Sequence, residues 1–149
     1  MPKNIRIDAE KMINIMTRLD FFENFSKIDL HRMANSEIQL FLYEKAEHII
    51  KKGEKDAHFF IVLSGSVSIV TDNNIVNRIN AGSFFGEMSF LTHEPRSANV
   101  IANEDSLVMK IDGTIMNHLD LAITNKIKDK IIHRLIENLK IMNDLLDNK

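Results

Sequence analysis

The chain has 149 residues, about one domain's worth, with 44% apolar and 27% charged side chains, a composition ordinary for a soluble globular protein. A net charge of -2 argues against bulk nucleic-acid binding, and the absence of cysteine excludes disulfides, cysteine-ligated metals and cysteine nucleophiles and fits a reducing compartment, the cytoplasm. No apolar run approaches the ~20 residues of a membrane span, and MPKNIRIDAEK lacks the apolar core of a signal peptide.

Residues 8–18 place Met12, Ile15, Met16 and Leu19 at helical spacing, with Asp8 as N-cap. A second short helix is predicted from Ser26 to about Ala34, capped by Ser26 with Asp29 at its third position, close to a capping box. Phe21, Phe22 and Phe25 lie between the two helices and read as a packing joint. From about residue 37 the period shortens. IQLFLY, EHIIKK, FFIVLS, SVSIVT and IVNRIN are β-rich runs separated by turn signals, with Asp72-Asn73-Asn74 as a hairpin loop. SANVIA and SLVMKI follow. Seven or eight short strands with hardly a helix between them imply an antiparallel sandwich or barrel.

Helix signals return at Asp112. Residues 112–120 make a short helix and 121–149 a long one. Ile123, Ile127, Ile131, Leu135, Leu139, Met142 and Leu146 recur at spacings of four or three, and Ile132 and Ile136 widen the stripe. A helix packed only on its own barrel needs less, so the stripe points to pairing with a second copy of itself. Lys126, Lys128 and Lys130 read as a solvated face rather than a nucleic-acid contact. The layout is therefore mainly β with flanking α: N-terminal helices over 1–36, a β-barrel over 37–111 and C-terminal helices over 112–149.

The segment over 82–98, GSFFGEMSFLTHEPRSA, carries the chemistry. Gly86 can release the backbone into a short helical turn over Glu87 to Leu91, whose first N–H groups lack intrahelical partners. Nine residues after Glu87 stands Arg96, whose planar fork of donors suits phosphate oxygens. Ser97 adds a hydroxyl, and Ala98 is small enough for a ligand to approach the backbone. Glu87, acceptor-only when ionised, suits sugar hydroxyls. The alternative is a structural salt bridge between Arg96 and Glu87 in an ordinary loop.

FGEMSFLTHEPRSA resembles the phosphate-binding cassette of the cyclic nucleotide-binding domain family, which includes the bacterial catabolite activator protein, protein kinase A regulatory subunits and cyclic-nucleotide-gated channels. Phe85-Gly86-Glu87-Met88-Ser89-Phe90 matches with a bulkier Phe90, and Arg96-Ser97-Ala98 follows at the family spacing. Upstream, residues 49–65 (IIKKGEKDAHFFIVLSG) resemble the family's second signature, departing from it at Glu54 and at His58, which reads as a surface substitution. The resemblance covers about residues 8–135. It implies a jelly-roll-like barrel with a short phosphate-binding helix and a long C-terminal helix.

It also implies roles. Arg96 would pair with the cyclic-phosphate oxygens and Glu87 would accept from the ribose 2′-OH. The backbone at Gly86 and Ala98 would face ribose and phosphate, with Met88 and Ser89 in the same turn. Ser97, where cGMP-selective members carry threonine, leans to cAMP ahead of cGMP, with a cyclic dinucleotide left open. A residue on the C-terminal helix would reach the purine, the candidates being Arg134, Asn138 and His133. Arg96 and the cassette helix would close on the phosphate, Phe84, Phe85 and Phe90 would repack, and the long helix would move onto the base.

No histidine pair has metal-ligand spacing and no nucleophile elbow appears, so neither a metal nor a catalytic site is expected. The expected protein is a stand-alone, non-enzymatic sensor with no cofactor, no DNA and no membrane contact, acting through its terminal helix on a second copy or an effector chain. The alternatives are an interaction module with a silent pocket and the sensor part of a transcription regulator, whose helix-turn-helix the chain is too short to hold.

Overall fold

The computed structural model describes residues 2–147. Among these residues fifteen elements follow one another: β1 (Lys3–Ile5), α1 (Ala9–Thr17), a 3₁₀ turn (Asp20–Phe22), α2 (Lys27–Ala34), β2 (Gln39–Tyr43), β3 (His48–Ile50), β4 (Phe59–Ser64), β5 (Ser66–Thr71), β6 (Asn74–Asn80), β7 (Phe84–Phe85), α3 (Glu87–Thr92), β8 (Asn99–Ala102), β9 (Ser106–Ile111), α4 (Gly113–His118) and the long α5 (Leu121–Asp147). The last two residues of the predicted terminal helix lie outside the described ones.

The strands form two antiparallel sheets, in the orders β1-β2-β9-β4-β7 and β3-β8-β5-β6. This is the jelly-roll-like barrel that the sequence implied. The apolar run of β4 explains how the layers stack. Side chains alternate faces along a strand. Phe59, Ile61 and Leu63 join the cluster beneath the helices, with Met12, Met16, Phe21, Phe22 and Ile127. Phe60 and Val62 point the other way, into the inter-sheet cluster with Val67, Phe85, Val100 and Val108. A strand covered on both faces has no polar alternation to show, hence the unbroken FFIVL.

The caps stand where the residue types put them. Asp8 accepts from the Lys11 N–H, and Ser26 and Asp29 complete a reciprocal capping box at α2. Two strands had no sequence signal. β1 is three residues paired to β2 (Lys3 opposite Leu42), and β7 is two residues paired to β4.

The lysines of α5 correct one expectation. Lys126 forms an ion pair with the buried Asp29, and Lys130 bonds Glu23 at 3.0 Å. Burial would raise the Asp29 carboxyl, but Lys126 and the Ser26 cap outweigh it and hold it below its ordinary value. Lys126 and Lys130 therefore pin α5 to the N-terminal helices, and Lys128 alone of the three is solvated. Ile123, Ile127 and Ile131 of α5 are buried, whereas Ile132, Ile136, Leu139, Met142 and Leu146 are exposed.

Candidate functional site

The two glycine-containing motifs of the sequence meet in space. The Arg96 carbonyl accepts from the Gly53 N–H at 2.8 Å, the Arg96 N–H donates to the Glu54 carbonyl at 2.9 Å, and the Lys52 N–H donates to Asn99 Oδ1 at 2.8 Å. The upstream loop thus holds the backbone of the cassette arginine. Gly86 precedes α3 with φ +82°, a left-handed conformation that L side chains rarely adopt. A Cβ there would lie 2.9 Å from Arg96 Nη1 and 3.3 Å from the His58 carbonyl oxygen, so glycine is needed for the arginine to seat.

Arg96 is 5% exposed. Its Nε donates to Asp56 Oδ2 at 3.2 Å, its Nη2 to Asp56 Oδ1 and to the His58 carbonyl, and its Nη1 to the Gly86 carbonyl at 2.8 Å. Burial would raise the Asp56 carboxyl, but the Arg96 guanidinium, assisted by His58, outweighs it and holds the group below the usual carboxylate range. One N–H of Nη1 is used by none of these contacts. It and the first N–H groups of α3, which have no partner within the helix, are donors for an anion.

Arg96 therefore does not pair with Glu87, the structural alternative for these two residues. Glu87 faces Arg134 of α5, Oε1 to Nη1 at 3.7 Å. Arg134 also donates to the Ser83 hydroxyl and the Phe84 carbonyl and lies 3.6 Å above the Phe84 ring. Burial is the largest influence on its guanidinium and lowers its affinity for a proton, with Glu87 opposing. Ser89 is buried, and Met88, half exposed, stands at the rim.

These groups surround one cavity of about 470 Å³, within the range of small-molecule sites. Gly86, Glu87, Met88, Ser89, Arg96, Ser97 and Ala98 line it, as do Arg134 and Asn138. Its floor is apolar, from Ile50, Ile69, Ile79, Phe85 and Val100. His133, the third base-contact candidate, is not among the lining residues and flanks a separate cleft with Glu23 and Lys126.

Five polar residues of the site were missed from sequence. Asp56 and Ser83 hold the two arginines. Asn77 and Arg78 line the cavity from β6, opposite Ile69 and Ser68 of β5. His58 is no surface substitution: its ring is half-buried between Asp56 and Asp112. The sequence signal for Asp56 and His58 was their place inside the upstream motif, whose residues bring that loop against Arg96.

Residues 40–119 match the family model described as cyclic nucleotide-binding domain. A cGMP-dependent protein kinase of Caenorhabditis elegans is 34% identical over 98 residues, 62% of this chain but 12% of the kinase. A cAMP-dependent protein kinase regulatory subunit of Yarrowia lipolytica is 28% identical over 102 residues, 68% of this chain and 27% of that protein. The chain thus spans a minor part of the curated relatives it matches. Among solved structures, PKAR CBD2 bound to Sp-2Cl-cAMPS superposes with a TM-score of 0.74 at 27% identity, over 93% of this chain and 91% of that one. A cyclic nucleotide-binding domain from Methylobacillus flagellatus shares the fold, with a TM-score of 0.71 at 20% identity over 96% of this chain and 84% of that one.

Proposed function

This chain belongs to the cyclic nucleotide-binding domain family, and from that premise we propose that its cavity takes cAMP ahead of cGMP and that occupancy is passed to a partner chain through α5. The observation that carries this is that Arg96, buried and with one Nη1 N–H not used by its contacts to Asp56, Gly86 and His58, lines the same 470 Å³ cavity as the carboxylate of Glu87. The phosphate would meet Arg96 and the first turn of α3, and the 2′-OH would meet Glu87. Ser97 and the cAMP analogue bound by the similar PKAR CBD2 support cAMP. The role is binding and regulation rather than chemistry on the nucleotide.

Arg134 supplies the link to α5. It grips Ser83, Phe84 and Glu87 at once, so a sugar hydroxyl arriving at Glu87 shares that carboxylate with the helix. A ligand shifts α5 only by binding its two positions with different affinity.

Titration calorimetry with cAMP, cGMP and a cyclic dinucleotide tests the reading. Saturable heat is expected with cAMP at the lowest concentration. No heat from any of the three would establish a silent pocket, and a tighter cGMP would reverse the ligand order.

The distal part of α5 is read as a homodimer seam. Ile132, Leu135, Leu139, Met142 and Leu146 alternate spacings of three and four, a coiled-coil pattern. Four of the five are between 51% and 61% exposed. The flanking Ile136, Asn138, Asn143 and Leu145 carry no charge, so two copies meet without like-charge repulsion. Sedimentation equilibrium is expected to give a dimer, and Leu139→Glu with Met142→Glu a folded monomer. A monomeric parent protein would remove the dimer from the proposal.

A further inference from the structure

A cleft of about 590 Å³ lies between the segment that follows β1 and the outer face of α1. Arg6, Ile7, Lys11, Asn14, Ile15 and Arg18 line it, and it shares no lining residue with the nucleotide cavity. α1 buries Met12 and Met16 on its inner side. Lys11, Asn14, Ile15 and the C-cap Arg18 recur at i, i+3, i+4 and i+7, so they share one outer face. Ile7 and Ile15 are half-buried against the cluster beneath the helices and give the cleft an apolar floor. Arg6, Lys11 and Arg18 stand exposed around that floor.

The charge of the cleft is unbalanced. Three cationic side chains face one carboxylate, that of Asp8, whose Oδ1 already accepts the Lys11 N–H as the cap of α1. Among the described residues, Arg6, Lys11 and Arg18 take part in no ion pair. Arg32, Lys126, Lys130 and Arg134, by contrast, each face a carboxylate of this chain. Nor does the helix account for Lys11, which stands in the first turn, where the helix dipole disfavours a cation.

We infer that this cleft docks a segment of an effector chain in which one apolar side chain is flanked by carboxylates. The apolar side chain would sit on Ile7 and Ile15, the carboxylates would meet Arg6, Lys11 and Arg18, and the Asn14 amide would offer a further hydrogen bond. Charge complementarity selects the acidic partner, and the floor selects its apolar residue. A membrane fits less well, because it is engaged by projecting apolar side chains, and neither Ile7 nor Ile15 is among the exposed large apolar residues. Exposed ion pairs are individually weak and screened by salt, so the contact draws on three of them together with the buried apolar side chain.

The test is amide NMR of the isotope-labelled parent chain with the capped peptide acetyl-Glu-Glu-Asp-Leu-Asp-Glu-Glu-amide. It is run beside a peptide with serine in place of leucine and beside the variant Lys11→Gln with Arg18→Gln. Both substitutions fall on exposed side chains without an ion-pair partner among the described residues, and glutamine is a good helix former, so parental melting is expected. The leucine peptide is expected to shift the Lys11, Asn14, Ile15 and Arg18 amides with a Kd of about a millimolar or tighter. The double variant should bind it about tenfold more weakly, and the serine peptide should bind the parent several-fold more weakly. Lys27→Gln with Lys128→Gln, exposed lysines outside the cleft, should bind like the parent. No shift at these amides, or equal binding by the parent and the double variant, overturns the docking site. Equal binding of the two peptides overturns the apolar seat and the stated partner with it. The same amides shifting with protein concentration in the absence of peptide would make a second copy the occupant. Cosedimentation with phosphatidylserine vesicles that is lost in the double variant would make it a membrane. Either result overturns the effector segment.

Discussion

Arg96→Leu is expected to weaken cAMP binding by roughly a hundredfold or more, the loss of about 3 kcal/mol that charge-assisted bonds to a phosphate represent. Three features set the size of the effect. The guanidinium is almost fully buried, so its charge acts with little screening by solvent. Its orientation is fixed by Asp56, the Gly86 carbonyl and the His58 carbonyl. Of the two other arginines that line the cavity, Arg134 is committed to Ser83, Phe84 and Glu87, and Arg78 is exposed to solvent on β6, where its charge is screened. Glu87→Ala should cost less, about tenfold, because it removes a bond to an uncharged hydroxyl. Removing Arg96 also leaves Asp56 without its main partner, so thermal melting must accompany the titration. A folded Arg96→Leu protein with parental affinity, or equal small losses in the two variants, would contradict the assigned roles.

Gly65→Ala is expected to lower stability by about 3 kcal/mol or more, and Tm by roughly 10 °C. Gly65 joins β4 of one sheet to β5 of the other with φ +88°. A Cβ at this corner would fall 2.6 Å from the Asp105 carbonyl oxygen and 2.8 Å from Ser106 Cα, both backbone atoms with no flexible end to yield. The same corner is laced by Ser106, whose hydroxyl bonds the Ser66 carbonyl at 3.1 Å, and by the Asn103 N–H on that carbonyl at 2.9 Å. Relief of the clash therefore means moving the β8–β9 turn. Gly113→Ala, where the backbone is not left-handed and nothing lies within 4 Å of the added carbon, serves as the neutral control. Indistinguishable melting of the two variants would show that the corner can relax.

The features legible in the sequence are those written within a few residues of one another. The capping residues Asp8, Ser26 and Asp29 act on backbone N–H groups three positions away, and the structure has them doing so. The period of the apolar residues located α1 and α5, because a helix buries a face whose repeat is set by its own geometry; the Ser26 cap located α2, and β-rich runs between turn signals located most of the strands. β1 and β7 escaped because strands of three and two residues have no period to read and exist through the partner they pair with. The cassette from Gly86 to Ala98 was legible for the same reason as the caps. Its helix, its left-handed glycine and its arginine lie within thirteen residues of one another.

Which groups the cassette meets was decided by the tertiary structure alone. Asp56 stands forty residues before Arg96, and Arg134 forty-seven residues after Glu87. Each reaches the site only through sheet register and the docking of α5 by Ile123, Ile127 and Ile131. Charged side chains carry no periodic signature, so an exposed and a chelating aspartate look alike in sequence. His58 and Lys126 were misjudged on that ground. The sequence by itself determined the helix–strand–helix layout, the short turn of the cassette and the apolar stripe of α5. The packed fold decided that Arg96 is held by Asp56, that Arg134 of α5 shares Glu87 with the cavity, and that the stripe is buried up to Ile131 and open beyond it. These are contacts between distant segments, which only the closing of the barrel and the docking of its helices bring within bonding distance.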